Sequence, residues 1–219
     1  RGTISHFNAA SNFDGMLFTI MGVFVLLLWA MNLVAAVLLV RQRLPDPAFA
    51  WALRLGLLLT LIGGATGVLM TRPTAAQQAA LDADQRVSII GAHSVGMADG
   101  GPGMPITGWS LTGGDLRIGH FVGLHALQAL PIVGWLLTRR RSRRLGNRHR
   151  VALVAIAGLG YLGLIVLLIW QALRGQPLLA PDPTTLLALT ALVSITVLPA
   201  IAILAHGRGQ MLSGSEVTR

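Results

Sequence analysis

Five apolar runs, each long enough to cross a bilayer, divide this chain, and the charged residues between them sort by side. The runs are Met16 to Val40, Ala50 to Met70, Ile118 to Leu137, Val151 to Trp170 and Thr184 to Ala205. Each supplies the ~20 residues that a helix needs to span ~30 Å of hydrocarbon. Hydrocarbon offers backbone amides no partner outside the helix, so helices are the form such runs take. The expected fold class is all-α: one membrane domain over residues 1–219, a polytopic transmembrane bundle of five helices. An ordered loop cap over 72–117, between the second and third helices, covers its outer mouth.

The charges orient this bundle. Grouping Arg41, Arg43, Arg54, the stretch Arg139 to Arg150 and the C-terminal tail on one side gathers 12 of the 17 basic residues, opposed only by Asp46 and Glu216. By the positive-inside rule that side, with the C-terminus, is cytoplasmic, and the membrane is expected to be the inner membrane of a bacterium. The other side receives five arginines and six aspartates. Residue Arg1 then lies outside, and one or more further helices are expected upstream of it.

Composition removes several chemistries. With 53% hydrophobic and 11% charged residues, and a mean hydropathy of +0.67, the basic balance reflects topology, so no nucleic-acid partner is expected. Every basic residue is arginine, so no lysine can form a retinal or pyridoxal Schiff base. The absence of cysteine removes disulfides, thiolate catalysis and iron–sulfur ligation. Any metal would rest on His, Asp, Met or backbone oxygen.

Turn chemistry fixes the connections. Two prolines in Arg41-Gln-Arg-Leu-Pro-Asp-Pro47 stop the first helix and return the second as its antiparallel neighbour. Glycines at 63, 64 and 67, and again at 119 and 123, predict close helix contacts. Asp14 is the expected N-cap of the first helix. In the cap, Thr74 to Asp84 predicts a short amphipathic helix and Val87 to Ile90 an extended segment. Val95, Met97, Ile106 and Trp109 supply anchors that a flexible linker lacks. The arginine-rich turn Arg139 to Arg150 is expected to contact anionic lipids, and Trp51, Trp135 and Trp170 to mark the interfaces.

Polar residues entering an apolar helix are costly, which singles out Asp115-Leu-Arg117-Ile-Gly-His120-Phe-Val-Gly-Leu-His125-Ala-Leu-Gln128. At 100° per residue Arg117, His120 and Gln128 share a stripe, whereas His125 faces a neighbouring helix about 10 Å below the outer boundary. His125 is expected to be buried against the first or second helix, where an imidazole can ligate haem or another metal, relay a proton, or make one structural hydrogen bond. His93 can descend from the cap toward His120 or His125, so a metal set of His93, His120, His125 and Asp115 is a candidate. Asp14, Arg72 and Asn32 are candidates for an opposite wall, near Phe18, Met21 and Val25. The outer residues Asp14, Arg72, His93, Asp115, Arg117 and His120 are expected at one membrane level.

Ala92-His-Ser-Val-Gly96 resembles the nucleophile elbow of serine hydrolases, but no alternation of strands and helices surrounds Ser94. The run Gly91 to Gln128 resembles uncharacterised bacterial polytopic membrane proteins, and that resemblance implies no activity. His149 and His206 fall at the cytoplasmic end, too far from His125 to share a haem with it. The expected function is therefore an integral membrane protein whose outer His/Arg/Asp site binds a redox cofactor such as haem b, a quinone or a transition metal. Two alternatives stand beside it: a noncatalytic accessory subunit joined to other membrane subunits through glycine faces, and a proton or small-solute transporter.

Overall fold

The structure is a computed structural model and describes residues 6–139 and 145–216. In chain order it comprises α1 (Asn12–Arg41), α2 (Pro47–Ala65), α3 (Val68–Thr71), α4 (Ala75–Asp82), β1 (Ser94–Val95), β2 (Gly114–Asp115), α5 (Leu116–Leu124), α6 (Ala126–Thr138), α7 (Asn147–Leu173) and α8 (Pro183–Glu216). Four helical stretches among the described residues are long and apolar enough to cross a membrane: Asn12–Arg41, Pro47–Thr71, Asn147–Leu173 and Pro183–His206. The pair α5 and α6 adds a fifth if it is counted as one bent span.

That bend departs from the straight third helix expected over Ile118 to Leu137. The chain turns by 43° between α5 and α6, with His125 at the corner in a non-helical conformation (φ −82°, ψ 0°). A break inside an apolar segment exposes carbonyls that must find new donors. Here each finds one. Tyr161 of α7 donates to the Val122 carbonyl at 2.7 Å, and the His125 ring donates from Nδ1 to the Phe121 carbonyl at 2.8 Å. Thr60 of α2 donates to the Leu124 carbonyl at 3.2 Å and accepts from the Leu127 amide at 3.0 Å. Pro131 lies inside α6 and lacks the amide that would otherwise bond to the Leu127 carbonyl, which loosens the same turn.

Helix α2 is the hub, packing on α1, α5, α6 and α7. Its contact with α5 is a backbone contact. A Cβ added to Gly63 would come within 2.4 Å of Gly123 Cα, and the reverse holds, so the expected close packing is realised between these two glycines. Leu59, Ala126, Leu130 and Ile165 form the largest core, between α2, α6 and α7. Helix α1 is peripheral: Asp14 is its one buried residue, and Trp29 ties it to α2 by donating from Nε1 to the Leu61 carbonyl at 2.9 Å. Asn32, the expected inter-helix residue, instead donates back along its own helix to the Leu28 carbonyl. The N-cap of α1 is Ser11, whose Oγ accepts from the Asp14 amide and donates to the Asp14 carboxylate. Asp14 therefore sits one turn inside the position expected for it.

The polar loops fall at two ends. At one, Arg150 is 6% exposed and pairs from Nη1 with Asp46 Oδ2 at 2.7 Å. It also bonds to Asn147 Oδ1 and to the Leu137 carbonyl. One guanidinium thus joins the start of α2, the end of α6 and the start of α7, and it is buried where a lipid contact had been expected. Residues 140–144 of that turn lie outside the described residues. Arg54 closes the end of α1 by donating to the Gln42 carbonyl at 2.8 Å. Each tryptophan expected at an interface carries an arginine over its ring: Arg54 on Trp51, Arg139 on Trp135 and Arg174 on Trp170.

At the other end the cap is ordered by backbone bonds. The expected amphipathic helix is α4, opened by a capping box in which Thr74 and Gln77 satisfy each other's amides. Within Val87 to Ile90, Ile89 stands opposite Asn8, Ser88 accepts the Ala9 amide and Ile90 donates to the Phe7 carbonyl. The two-residue ladder forms further on, with Ser94 opposite Asp115 and Val95 opposite Gly114. Ser94 is therefore on a strand and not in a strand-to-helix elbow. Gly91 has a positive φ of 102°, and a Cβ there would lie 2.4 Å from the Met70 carbonyl, so only glycine lets the cap cross the end of α3 this closely. Ile106, an expected anchor, stands fully exposed at a turn with φ 72°.

Candidate functional site

A cleft of about 340 Å³ opens between α1 and the cap end of the bundle. Phe18, Met21 and Val25 of α1 form one wall, Phe7 and Met70 add apolar surface, and His6, His93, Arg117 and His120 bring polar groups to it. The apolar wall is the α1 stripe read from the sequence, although Asn32 and Asp14, placed with it there, do not line the cleft.

Each polar group is held from behind. The β1–β2 ladder places His93 beside the start of α5, where its carbonyl accepts the Leu116 amide at 3.0 Å. Its ring bonds through Nδ1 to Asp99 Oδ2 at 3.1 Å, and it packs 4.8 Å from Phe7. Asp99 also accepts the His93 and Ser94 amides at 2.9 and 2.7 Å. Burial opposes ionisation of Asp99, but these amide bonds outweigh it and hold the carboxyl below the usual range. Burial, with the Arg117 charge behind it, keeps the His93 imidazole below its ordinary pKa despite Asp99. The ring is therefore neutral near pH 7, with its Nδ1 hydrogen on Asp99 and a lone pair left on Nε2.

Asp115 is 1% exposed and ends β2, where it caps α5 by accepting the Arg117 amide at 3.0 Å. A bidentate pair follows: Arg117 Nε lies 2.9 Å from Oδ1, and Nη2 lies 2.6 Å from Oδ2. Nη2 also donates to the Gly108 carbonyl at 2.7 Å, which leaves Nη1 as the remaining donor. Asp115 further accepts the Ser110 amide. Its role is to fix Arg117 and the cap, and a carboxylate so engaged has little left for a metal.

His120 answers a defect in α2. Between α2 and α3 the helix is interrupted at Thr66 and Gly67, and the Gly63 carbonyl accepts from Thr66 Oγ1 at 2.6 Å and from His120 Nδ1 at 2.9 Å. A carbonyl can only accept, so Nδ1 carries the hydrogen and Nε2 keeps its lone pair. Gly67 passes close to this ring, with an added Cβ 3.1 Å from Cε1.

The cleft thus brings together His93, Arg117 and His120. It does not include His125, which is exposed and stacked 4.1 Å from Phe121. The physical reason is its bond to the Phe121 carbonyl, which satisfies Nδ1 locally and removes the need for a neighbouring helix. Gln128 is exposed as well. Arg72 lines a separate groove of about 820 Å³ under α4, together with Ser94 and Asp99. Among the described residues, no three His, Asp or Glu side chains converge as a metal would require. Reading the sequence missed His6 and Phe7; the approach of that N-terminal segment to the cleft rests on backbone bonds such as Ile90 to the Phe7 carbonyl, which no local pattern reveals.

The chain matches no protein-family model, no curated protein and no solved structure.

Proposed function

We infer that this is an integral membrane protein that binds the head group of a lipid-soluble quinone, in its reduced form, in the cleft between α1 and the cap. One observation carries the reading: two imidazoles whose Nδ1 atoms are already committed, His93 and His120, share a mainly apolar and aromatic cleft, lined also by His6, with a guanidinium fixed by Asp115. A hydroquinone donates two hydroxyl hydrogens, and the two Nε2 lone pairs can accept them. Arg117 can donate to a ring oxygen, and Phe7, Phe18 and Met21 offer apolar surface to the ring. Small-molecule sites commonly combine a mostly apolar lining with a few such polar groups.

A metal ion fits less well because the three histidines that line the cleft, His6, His93 and His120, do not converge as a ligand set among the described residues. Haem b would have to use two of His6, His93 and His120, since His125 faces away. The positive-inside rule puts the Arg54 and Arg150 end in the cytoplasm and the cleft at the outer end, as expected for a bacterial inner membrane protein. An absorption spectrum and metal analysis of detergent-purified protein, with quinone extracted into organic solvent, test the assignment. Quinone in the extract supports it. A Soret band or a stoichiometric metal with no quinone would replace it with haem or metal binding. An accessory role remains the second reading, favoured by α1, whose most apolar window buries no residue in the bundle.

A further inference from the structure

A second concavity, of about 470 Å³, lies between α2 and α7, away from the cap. Its walls are one stripe of each helix: Trp51, Leu55 and Ile62 on α2, Val151, Ala155 and Leu162 on α7. It begins near the arginine-bearing end and runs from Trp51 to Ile62 on α2 and from Val151 to Leu162 on α7, short of the far end of α7. From Trp51 to Ile62 the rise is about 16 Å, which is close to the ~15 Å depth of one leaflet, half of the ~30 Å hydrocarbon core. A partner helix would need a surface running the full thickness. One leaflet of depth suits a single acyl chain.

The polar end of the groove carries positive charge. Arg54 lies 5.6 Å from the Trp51 ring at the groove mouth. Arg148 is exposed and has no hydrogen bond or ion pair among the described residues. At 100° per residue, Arg148 falls on the same face of α7 as Val151, Ala155 and Leu162, so it continues the groove stripe by one turn toward the interface. Asp46, the carboxylate nearest in sequence to this end, is already paired with Arg150. The mouth therefore presents unneutralised guanidinium to a head group, while the body presents apolar side chains to a chain of methylenes.

We propose that this groove is a binding site for one anionic phospholipid of the bilayer, its phosphate at Arg148 and Arg54 and one acyl chain laid along Trp51, Leu55 and Ala155. A phosphate with a net negative head group is attracted to the arginines, and the chain fills space that the two helices leave open. The site is independent of the quinone cleft, which lies at the opposite end.

Native mass spectrometry of the whole protein released from detergent tests this, with phosphatidylglycerol and phosphatidylcholine of equal chain length added at equal concentration. The wild type should retain phosphatidylglycerol about tenfold more tightly, the ratio that one extra charged contact of modest strength gives. Arg148→Gln, a surface change that leaves the fold intact, should remove that preference. Ala155→Phe, which fills the groove from an exposed position, should weaken binding of both lipids by a similar factor. Gel filtration and circular dichroism establish that each variant is folded; should Ala155→Phe not fold, Ala155→Leu replaces it. Equal retention of the two lipids by the wild type overturns the charged mouth. Undiminished phosphatidylglycerol binding by the groove-filling variant overturns the groove and leaves a surface charge effect.

Discussion

The two ends of the bundle treat their polar groups in opposite ways. At the arginine-bearing end, Arg150 joins three helices through Nη1 and Nη2, to Asp46, Asn147 and the Leu137 carbonyl, while its buried Nε finds no partner among the described residues, and Arg54 donates through Nε and Nη2 to the carbonyls that end α1. At the cap end, His93, His120 and Arg117 are each anchored by one side only, which leaves an Nε2, an Nε2 and an Nη1 without a hydrogen bond among the described residues. Networks that bridge several helices hold them together. Half-open ones, grouped in a cleft, are what a ligand site requires, because the free atoms are pre-oriented by the anchored ones.

The comparison breaks first if the Arg150 network is not structural. Arg150→Met should cost about 3 kcal/mol, near the lower bound for breaking a buried ion pair, since the Asp46 side chain left behind is 26% exposed. Thermal unfolding in detergent reads this directly, and an unchanged midpoint would show that the pair contributes nothing. Arg117→Gln, at the other end, should cost at least as much, because the Asp115 side chain it leaves unpaired is fully buried, and its loss of ligand binding is read at a temperature where the variant is folded.

The backbone contact that supports the cleft gives the next largest effect. Gly63→Ala and Gly123→Ala each place a methyl 2.4 Å from backbone that cannot yield as a flexible side chain would, and each should cost about 1–3 kcal/mol. Gly15→Ala on α1 meets nothing within 4 Å and should instead stabilise by up to about 1 kcal/mol through helix propensity. Equal effects at the three positions would mean that α2 and α5 do not meet as described.

How much of this was legible beforehand follows from where each interaction begins and ends. The apolar runs, the short helix at Ala75–Asp82 and the α1 stripe of Phe18, Met21 and Val25 are local patterns, and the sequence displays them. Depth put His93, Arg117 and His120 at one level together with Asp14, Arg72 and Asp115, and only the first three line the cleft. The break at His125 could not, since its partners are Thr60 and Tyr161, which lie 64 and 39 residues from the carbonyls they satisfy. For the same reason His125 was ranked as the deepest candidate when its bond to Phe121 makes it a corner residue. The burial of Arg150 was hidden likewise, because its partner Asp46 is 104 positions away and an arginine in a basic turn reads as solvated.

A smaller effect concerns pH at the open end. The His93 pKa is lowered in the folded state, so in the window below 6.5 the unfolded chain binds more protons than the folded one. Stability is complete above the unfolded value and falls as pH drops through that window. Asp99, also depressed, gives a second loss as pH falls below its unfolded value near 3.8. Melting curves from pH 8 to pH 5 should therefore decline for the wild type and decline less for His93→Gln. Identical slopes would remove His93 from the account.

The central claim is that the cleft between α1 and the cap binds a hydroquinone through two imidazole acceptors. Its most direct test is calorimetric titration of the purified protein with a short-chain hydroquinone and with its oxidised form, repeated on His93→Gln, His120→Gln and the double variant. The account predicts saturable one-to-one binding that favours the reduced ring. Each single variant should weaken it by roughly fivefold, the equivalent of ~1 kcal/mol for one hydrogen bond, and the double variant should depart from the product of the two because both groups hold one ring. Binding that is absent from the wild type, or that is unchanged in all three variants, would contradict it.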